Sequence, residues 1–157
     1  MSFKPLLILI SSILPILLLM GCQTTGNSPD NSAPENASAA LSKVDLVGSQ
    51  WELSNLTAKS SAVDFDATLA PTLEFLDELM AGNSGCNTYR TPWKLGESGE
   101  LSFSGPMMQT RKACQESIMA LENQFIEVLS GANSVSVNGE TLTINSENGV
   151  LIFAQRN

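Results

Sequence analysis

Alternation of apolar and polar residues predicts β-strands over much of the chain. Between Ser49 and Leu56, Trp51, Leu53 and Asn55 share one side of the alternation, as in a half-buried strand. Three more strands follow on similar patterns: Pro71 to Leu76, Tyr89 to Lys94, and Glu100 to Phe103, the last two joined by a turn at residues 96–99. Residues 74–80 also fit a helical turn, so the end of the second strand stays open.

One segment has a helical period instead. Its apolar positions are Ile118, Leu121, Phe125 and Leu129. Three glutamates, Glu116, Glu122 and Glu127, fall elsewhere on the helical wheel. The pattern predicts a helix from about Cys114 to Ser130, ended by Gly131 as its C′ residue. We expect the apolar stripe to pack on the core; a groove for a partner is the alternative.

Two Asn-Gly pairs predict hairpins near the C-terminus. Asn138-Gly139 and Asn148-Gly149 supply the positive φ angles that a type I′ turn requires. The apolar positions of the three connected strands are Val135 and Val137, Leu142 and Ile144, and Val150, Ile152 and Ala154. The predicted fold class is therefore α+β: a small antiparallel β-sheet that curls around one helix.

The N-terminal residues have a charge and hydropathy pattern of their own. Lys4 and the amino terminus precede an uncharged apolar run that is shorter than the ~20 residues needed to span a bilayer. The run ends in Leu19-Met20-Gly21-Cys22, which resembles a bacterial lipobox. This resemblance implies that the signal peptide 1–21 is removed and that Cys22 is lipidated. The alternatives are an ordinary cleaved signal peptide and an uncleaved membrane helix.

The lipid anchor predicts both the location and the domain organisation. Gln23, unlike an Asp at that position, resembles the sorting pattern for the outer membrane, with the domain in the periplasm. Residues 22–43 are small, polar and interrupted by two prolines, so we expect a flexible tether there. Residues 44–157 form the predicted folded domain.

Composition argues against several function classes. The net charge is −8, and removal of residues 1–21 takes away Lys4 but no carboxylate. This acidic excess argues against binding nucleic acid or anionic lipid headgroups through a basic surface. The chain has no histidine and no nucleophile or metal-binding motif. We therefore expect no enzyme activity, no metal and no cofactor, and membrane contact through the anchor on Cys22.

Two cysteines remain once Cys22 is assigned to the lipid. Cys86 and Cys114 are then an even pair in an oxidising compartment, where disulfides form and persist. Two buried free thiols or one reactive thiol are the alternatives. A catalytic thiolate is disfavoured because no histidine is present to activate it.

A series of short motifs runs through the predicted folded domain. They are Leu46-Val-Gly48, Trp51-Glu-Leu53, Leu73-Glu-Phe75, Gly85-Cys-Asn-Thr-Tyr89, Leu101-Ser-Phe103, Met108-Gln-Thr-Arg-Lys-Ala-Cys114, Glu122 and Leu142-Thr-Ile144. Their order resembles the META domain family of HslJ-like lipoproteins. Thr91-Pro92 departs from the family, which usually has Gly there, and this puts the local turn in doubt. The resemblance implies a barrel-like antiparallel sheet with one helix across it. It also implies an association with heat shock and antibiotic tolerance, and it supports the Cys86–Cys114 disulfide.

Four residues beside the two cysteines are candidates for binding a partner: Asn87, Tyr89, Arg111 and Lys112. The alternative is structural, with Asn87 satisfying a turn and Arg111 pairing with a carboxylate. The favoured function is a non-catalytic envelope protein that binds an unknown envelope protein under stress. The alternative is a periplasmic inhibitor of a basic enzyme such as lysozyme, which would use the acidic surface.

Overall fold

The fold is built from strands in the first half, one long helix, and a C-terminal meander. A computed structural model describes residues 41–156. The helices are α1 (Lys43–Leu46) and α2 (Glu116–Ser130), with a 3₁₀ turn at Ala67–Leu69. The strands are β1 (Gln50–Ala58), β2 (Ser61–Ala62), β3 (Thr72–Phe75), β4 (Leu79–Asn83), β5 (Thr88–Leu95), β6 (Leu101–Phe103), β7 (Met108–Gln109), β8 (Ala132–Asn138), β9 (Thr141–Ser146) and β10 (Gly149–Gln155). Residues 74–80 therefore contain strand and no helical turn.

The strands form an almost closed antiparallel barrel. Their order is β6-β5-β4-β3-β1-β10-β9-β8, while β2 pairs with β1 and β7 pairs with β5. The two ends of this order meet where Glu100 bridges Ser134 and the Val135 amide donates to the Gly99 carbonyl at 2.8 Å. The predicted α+β class, with a barrel-like sheet and one helix packed on it, is confirmed.

Helix α2 seals the core of the barrel. It packs against β1, β9 and β10, and its Phe125 is fully buried. The Phe125 ring lies 5.7 Å from the Tyr89 ring and 6.3 Å from the Phe153 ring, between centroids. The predicted stripe is thus core: Leu121, Phe125 and Leu129 are buried, and Ile118 is half-buried.

Two strands place different residues inward than simple alternation suggests. The register of β1 against β10 shifts between Leu53 and Asn55, so Asn55 is exposed and Leu56 becomes the next inward residue. Such a bulge inserts an extra residue and reverses the parity beyond it. In β10 the buried residues are Leu151 and Phe153, which pair with the inward Leu56 and Leu53. The predicted apolar positions Val150, Ile152 and Ala154 therefore lie on the other side of the strand.

The hairpin turns differ from the predicted type I′ geometry. Asn138 pairs with Thr141, which makes Gly139 and Glu140 the two loop residues, and only Gly139 has a positive φ, of 58°. Ser146 pairs with Gly149, so the second loop is Glu147-Asn148 and neither residue has a positive φ. In both hairpins each Asn-Gly pair lies one residue out of the register that type I′ demands.

Positive φ at both loop positions occurs instead between β1 and β2. Lys59 and Ser60 have φ of 49° and 67°, with Ala58 paired to Ser61. Neither residue is glycine, so no common hairpin signal marks this turn in the sequence. Gly131 also departs from expectation: its φ is −93°, and a Cβ there would lie 2.8 Å from the Ser146 hydroxyl. The end of α2 therefore needs no left-handed glycine, and a Cβ there would meet only side-chain atoms of Ser146, Glu147 and Asn148.

Pro92 lies inside β5 without disrupting the sheet. β5 pairs with β7 through residues 89–90 and with β6 through residues 93–95, so Pro92 falls where the neighbouring strand changes. Its missing N–H therefore costs no ladder hydrogen bond, and the Pro92 carbonyl accepts from the Ser104 amide at 3.1 Å. The departure at Thr91-Pro92 is accommodated in a strand, and no turn forms there.

The described residues include three, 41–43, that precede the predicted start of the folded domain at residue 44. Leu41 packs against the core, and Asp45 accepts from the Ser42 amide and hydroxyl at the start of α1. The rest of the predicted tether and the signal peptide 1–21 lie outside the described residues. Between residues 41 and 156, no helix is both long enough and apolar enough to span a bilayer.

Replacing Ser60 by glycine is expected to stabilise the domain. Ser60 has a φ of 67°, and glycine adopts that region without the cost a Cβ imposes. We expect Ser60→Gly to raise the free energy of unfolding by about 0.5–1 kcal/mol in denaturant titration. Ser98→Gly is the control, because Ser98 has no positive φ and glycine there only adds entropy to the unfolded chain. Equal or reversed shifts for the two variants would contradict this account.

Candidate functional site

A buried carboxylate joins α2 to the turn between β4 and β5. The Glu122 side chain is 9% exposed. Its Oε2 accepts from the Ser84 hydroxyl and the Asn87 amide, both at 2.7 Å, and its Oε1 accepts from Asn87 Nδ2 at 2.7 Å. The helix is thereby fixed to the turn through both oxygens of one side chain.

Asn87 extends the network from the helix to the segment after β7. Its Oδ1 accepts from the Thr110 hydroxyl at 2.8 Å and from the Lys112 amide at 2.7 Å, and its Nδ2 also lies 3.4 Å from the Lys112 carbonyl. The Asn87 side chain is 4% exposed. We call Ser84, Asn87, Thr110 and Glu122 the Glu122 node.

The turn that carries the node has a local reason for its sequence. Gly85 has a φ of 117°, which strongly favours glycine, and its amide donates to Asn83 Oδ1 at 2.7 Å. Ser84 has one hydroxyl proton; the Asn87 carbonyl already accepts the Ser84 amide at 2.7 Å. The Ser84 hydroxyl can therefore donate to Glu122, because the Asn87 carbonyl still accepts from the Ser84 amide.

The predicted disulfide is present beside the node. Cys86 and Cys114 are bonded, with Cα atoms 6.0 Å apart and a sequence separation of 28. The bond ties the β4–β5 turn to the segment that leads into α2, which are the two parts that Glu122 and Asn87 also join. In the chain-entropy treatment a loop of this size stabilises the fold by about 3–4 kcal/mol.

The donors around Glu122 keep it ionised. Burial alone would raise its pKa, but hydrogen bonds from the Asn87 and Ser84 side chains and from the Asn87 and Cys86 amides together hold the pKa below the ordinary glutamate value. Within residues 41–156, no buried side-chain nitrogen or oxygen lacks a hydrogen-bond partner. The buried polar atoms of the Glu122 node are therefore all hydrogen-bonded, and the role of the node is to hold three segments of the chain together.

Tyr89 belongs to the core. It is 2% exposed, and its hydroxyl donates to the Thr72 carbonyl at 2.9 Å. Burial raises the pKa of this phenol. Gly82 makes the approach possible, because a Cβ on it would lie 2.9 Å from the Tyr89 hydroxyl oxygen and would overlap the Thr72 carbonyl. Of the predicted partner-binding residues, Asn87 and Tyr89 are thus buried and offer no contact surface.

Arg111 and Lys112 are exposed. The main chain of Lys112 is held by Asn87 from inside, and neither side chain takes part in an ion pair with another residue in the 41–156 range. The structure therefore divides the four candidates: Asn87 and Tyr89 lie inside, and the two cations lie on the surface. Their role toward a partner stays a prediction.

Sequence reasoning missed Glu122 and Ser84 as site residues. Glu122 follows Leu121 directly, at the border of the apolar stripe, yet a glutamate is assigned to solvent by default. Its two partners lie 38 and 35 residues earlier in the chain. The only signal for Glu122 in the sequence is that it is one of the positions that carry the family resemblance. No group of three or more potential metal ligands occurs among residues 41–156.

Removing the charge of Glu122 should destabilise the fold. In Glu122→Gln, an NH₂ group replaces one acceptor that faces amide and hydroxyl donors, so we expect a loss of about 1.5–3 kcal/mol at pH 7 in denaturant titration. Since the folded pKa is depressed, the contribution of Glu122 is fully present above its ordinary pKa and is lost as pH falls through the lowered value. The variant should lack this acid-dependent loss.

Glu127→Gln is the matched control on the same helix. Glu127 pairs only with Lys59, at 2.8 Å, and its side chain is 41% exposed, so the free energy of unfolding should change by less than about 1 kcal/mol. If both glutamine variants lose the same stability, or if Glu122→Gln keeps the acid-dependent loss of the wild type, the node is not the support described here.

Comparisons with known proteins place this geometry in a family. The META domain model matches residues 44–157. A protein from Burkholderia xenovorans solved by NMR has 20% identity and a TM-score of 0.61, covering 79% of this chain and 97% of that one. A second NMR structure has 24% identity and a TM-score of 0.56, covering 73% and 94%.

A crystallised DUF4847 family protein from Bacteroides vulgatus has 15% identity and a TM-score of 0.53, and the match covers 71% of this chain and 95% of that one. At these identities the likeness concerns the fold. No curated protein matches the chain. Since the family model covers the whole barrel, its helix and both cysteines, the chain belongs to the META domain family.

Proposed function

We propose that this chain is an outer-membrane lipoprotein whose META domain binds another envelope component in the periplasm and supports the envelope under stress. The lipobox at Cys22 and the Gln23 that follows it support the location. The expected stress role comes from the family resemblance. The domain acts as a binding module, and not as an enzyme.

The observation that carries the binding role is the fixed position of Lys112 and, beside it, Arg111. The Lys112 amide and carbonyl are held by the Asn87 side chain, at 2.7 and 3.4 Å. The disulfide restrains the chain two residues further on, at Cys114. Two exposed cations on a preorganised backbone lose little conformational freedom when a partner binds, which favours affinity.

The alternative function uses a different surface. An inhibitor of a basic enzyme would present carboxylates, and truncation of Arg111 and Lys112 would leave it intact. Stoichiometric, salt-sensitive inhibition of lysozyme by the purified protein would favour that function over the proposed one.

Lipidation is tested by labelling. We expect radiolabelled palmitate to be incorporated into the wild type, which should fractionate with the outer membrane. Cys22→Ser should lose both the label and the membrane association, because the thiol is the acceptor of the lipid. Label that persists in Cys22→Ser, or wild-type protein in the soluble fraction, would end the anchor proposal.

Partner capture is tested by crosslinking in intact cells. The double variant Arg111→Ala, Lys112→Ala should lower the yield of the crosslinked complex by about three- to tenfold and reduce survival after heat shock. The control double variant, Lys59→Ala with Arg156→Ala, removes the same charge from cations that are already paired with Glu127 and Glu52. It should keep the wild-type yield. An equal loss of crosslinked complex in both double variants would assign the effect to net charge and would contradict a specific binding surface at Arg111 and Lys112.

A further inference from the structure

The cations of the domain divide into two groups. Three of them make ion pairs: Lys43 with Asp77 at 3.1 Å, Lys59 with Glu127 at 2.8 Å, and Arg156 with Glu52 at 3.7 Å. The remaining cations between residues 41 and 156 make none, and they are Arg90, Lys94, Arg111 and Lys112. We call these four residues the cationic face.

The cationic face follows one strand. Arg90 and Lys94 lie four residues apart on β5, so their side chains point to the same side of the sheet. Arg111 and Lys112 come directly after Thr110, whose amide donates to the Thr88 carbonyl of β5 at 3.1 Å. From Thr88, which is level with Thr110, to Lys94 the strand extends over roughly 20 Å at ~3.3 Å per residue.

An apolar side chain accompanies these charges. Met108 of β7 is paired directly with Arg90 and is 49% exposed. Both residues line an open groove of about 610 Å³, together with Ala81 and Thr88. The surface therefore offers cations beside an exposed thioether side chain, which suits contact with a headgroup layer.

The sum of the charges hides this arrangement. The net charge of the chain is −8, but salt screens interactions beyond about 8 Å at physiological ionic strength. Glu74 is a carboxylate in the same row as Arg90, because Arg90 pairs with Ala81 and Ala81 pairs with Glu74. It accepts a hydrogen bond from Gln50 Nε2 at 3.2 Å. Contact with an anionic surface thus depends on the nearest side chains and not on the total.

We propose that the cationic face lies against the anionic phospholipid headgroups of the membrane that holds the anchor, and so fixes the orientation of the domain. The inference rests on the lipid anchor of the proposed function and names the chemistry of the component bound there. The predicted tether over residues 22–43 would keep the domain within roughly 25 Å of the bilayer. Such confinement raises the effective concentration of headgroups, so a weak patch suffices.

The acidic remainder reinforces this orientation. An anionic surface repels the carboxylates and attracts the cationic face, so a tethered domain turns that face inward. Each Lys or Arg close to an anionic surface changes the partition by about fivefold. Neutralising Arg90 and Lys94 together should then lower occupancy of the membrane-facing orientation by about ten- to thirtyfold.

The test uses the mature lipidated protein reconstituted in vesicles. A photo-crosslinking amino acid replaces Ser102, an exposed residue of β6 that pairs directly with Lys94, or Ala154, an exposed residue of β10, four strands from β5 in the barrel. Mass spectrometry counts lipid adducts in vesicles of equal zwitterionic and anionic phospholipid, and in wholly zwitterionic vesicles. We expect adducts at Ser102 to exceed those at Ala154 only in the anionic vesicles, and to fall with added salt.

The variants separate charge from folding. Arg90→Gln with Lys94→Gln should abolish the preference for Ser102, whereas Arg90→Lys with Lys94→Arg should retain it. Equal adducts at the two probe sites, or the same preference in zwitterionic vesicles, would overturn the orientation while leaving the anchor in place. Protein that does not enter vesicles would overturn both proposals. Protein adducts in place of lipid adducts at Ser102 in intact cells would assign the cationic face to a protein and overturn the lipid inference.

Discussion

The domain depends on one carboxylate that is kept ionised away from water. Glu122 receives its donors from a turn between two strands, and the same turn holds, through Asn87, the segment that follows β7. Removing water from a charge is costly unless donors replace it. Here each oxygen of Glu122 has at least one donor at 2.7 Å. The carboxylate therefore fixes α2 to the β4–β5 turn and, through Asn87, to the segment after β7.

The disulfide and the Glu122 node act on the same segments by different means. The covalent bond limits the unfolded chain, whereas the hydrogen bonds define the folded arrangement. Between them they restrain the backbone of residues 110–114, although Arg111 and Lys112 are exposed. A barrel whose core is filled by Phe125 and whose edge is fixed by Glu122 can thus present surface residues from a restrained backbone.

Local patterns in the sequence predict much of the fold. Trp51 and Leu53, Leu73 and Phe75, and the stripe through Phe125 all follow the period of their element, because one face of each is buried. The pattern fails at Asn55, where a bulge reverses parity, and at the hairpins, where pairing and not the Asn-Gly signal sets the loop. The disulfide follows from the even cysteine count and the oxidising compartment that the predicted anchor implies.

The node was beyond sequence reasoning for a different reason. A glutamate and a serine 38 residues apart become partners only when the barrel closes, and neither residue type signals burial. Likewise, nothing in the sequence separates the paired cations from Arg90 and Lys94, since pairing depends on which strands become neighbours.

The lack of histidine has a consequence for how this protein meets changing surroundings. Histidine is the side chain whose reference pKa lies nearest to neutrality, and the sequence contains none. Burial raises the pKa of Tyr89, and hydrogen bonds lower the pKa of Glu122, so both groups move further from neutral pH. The chain therefore lacks the residue that most often makes the charge of a protein respond to small changes of pH near neutrality.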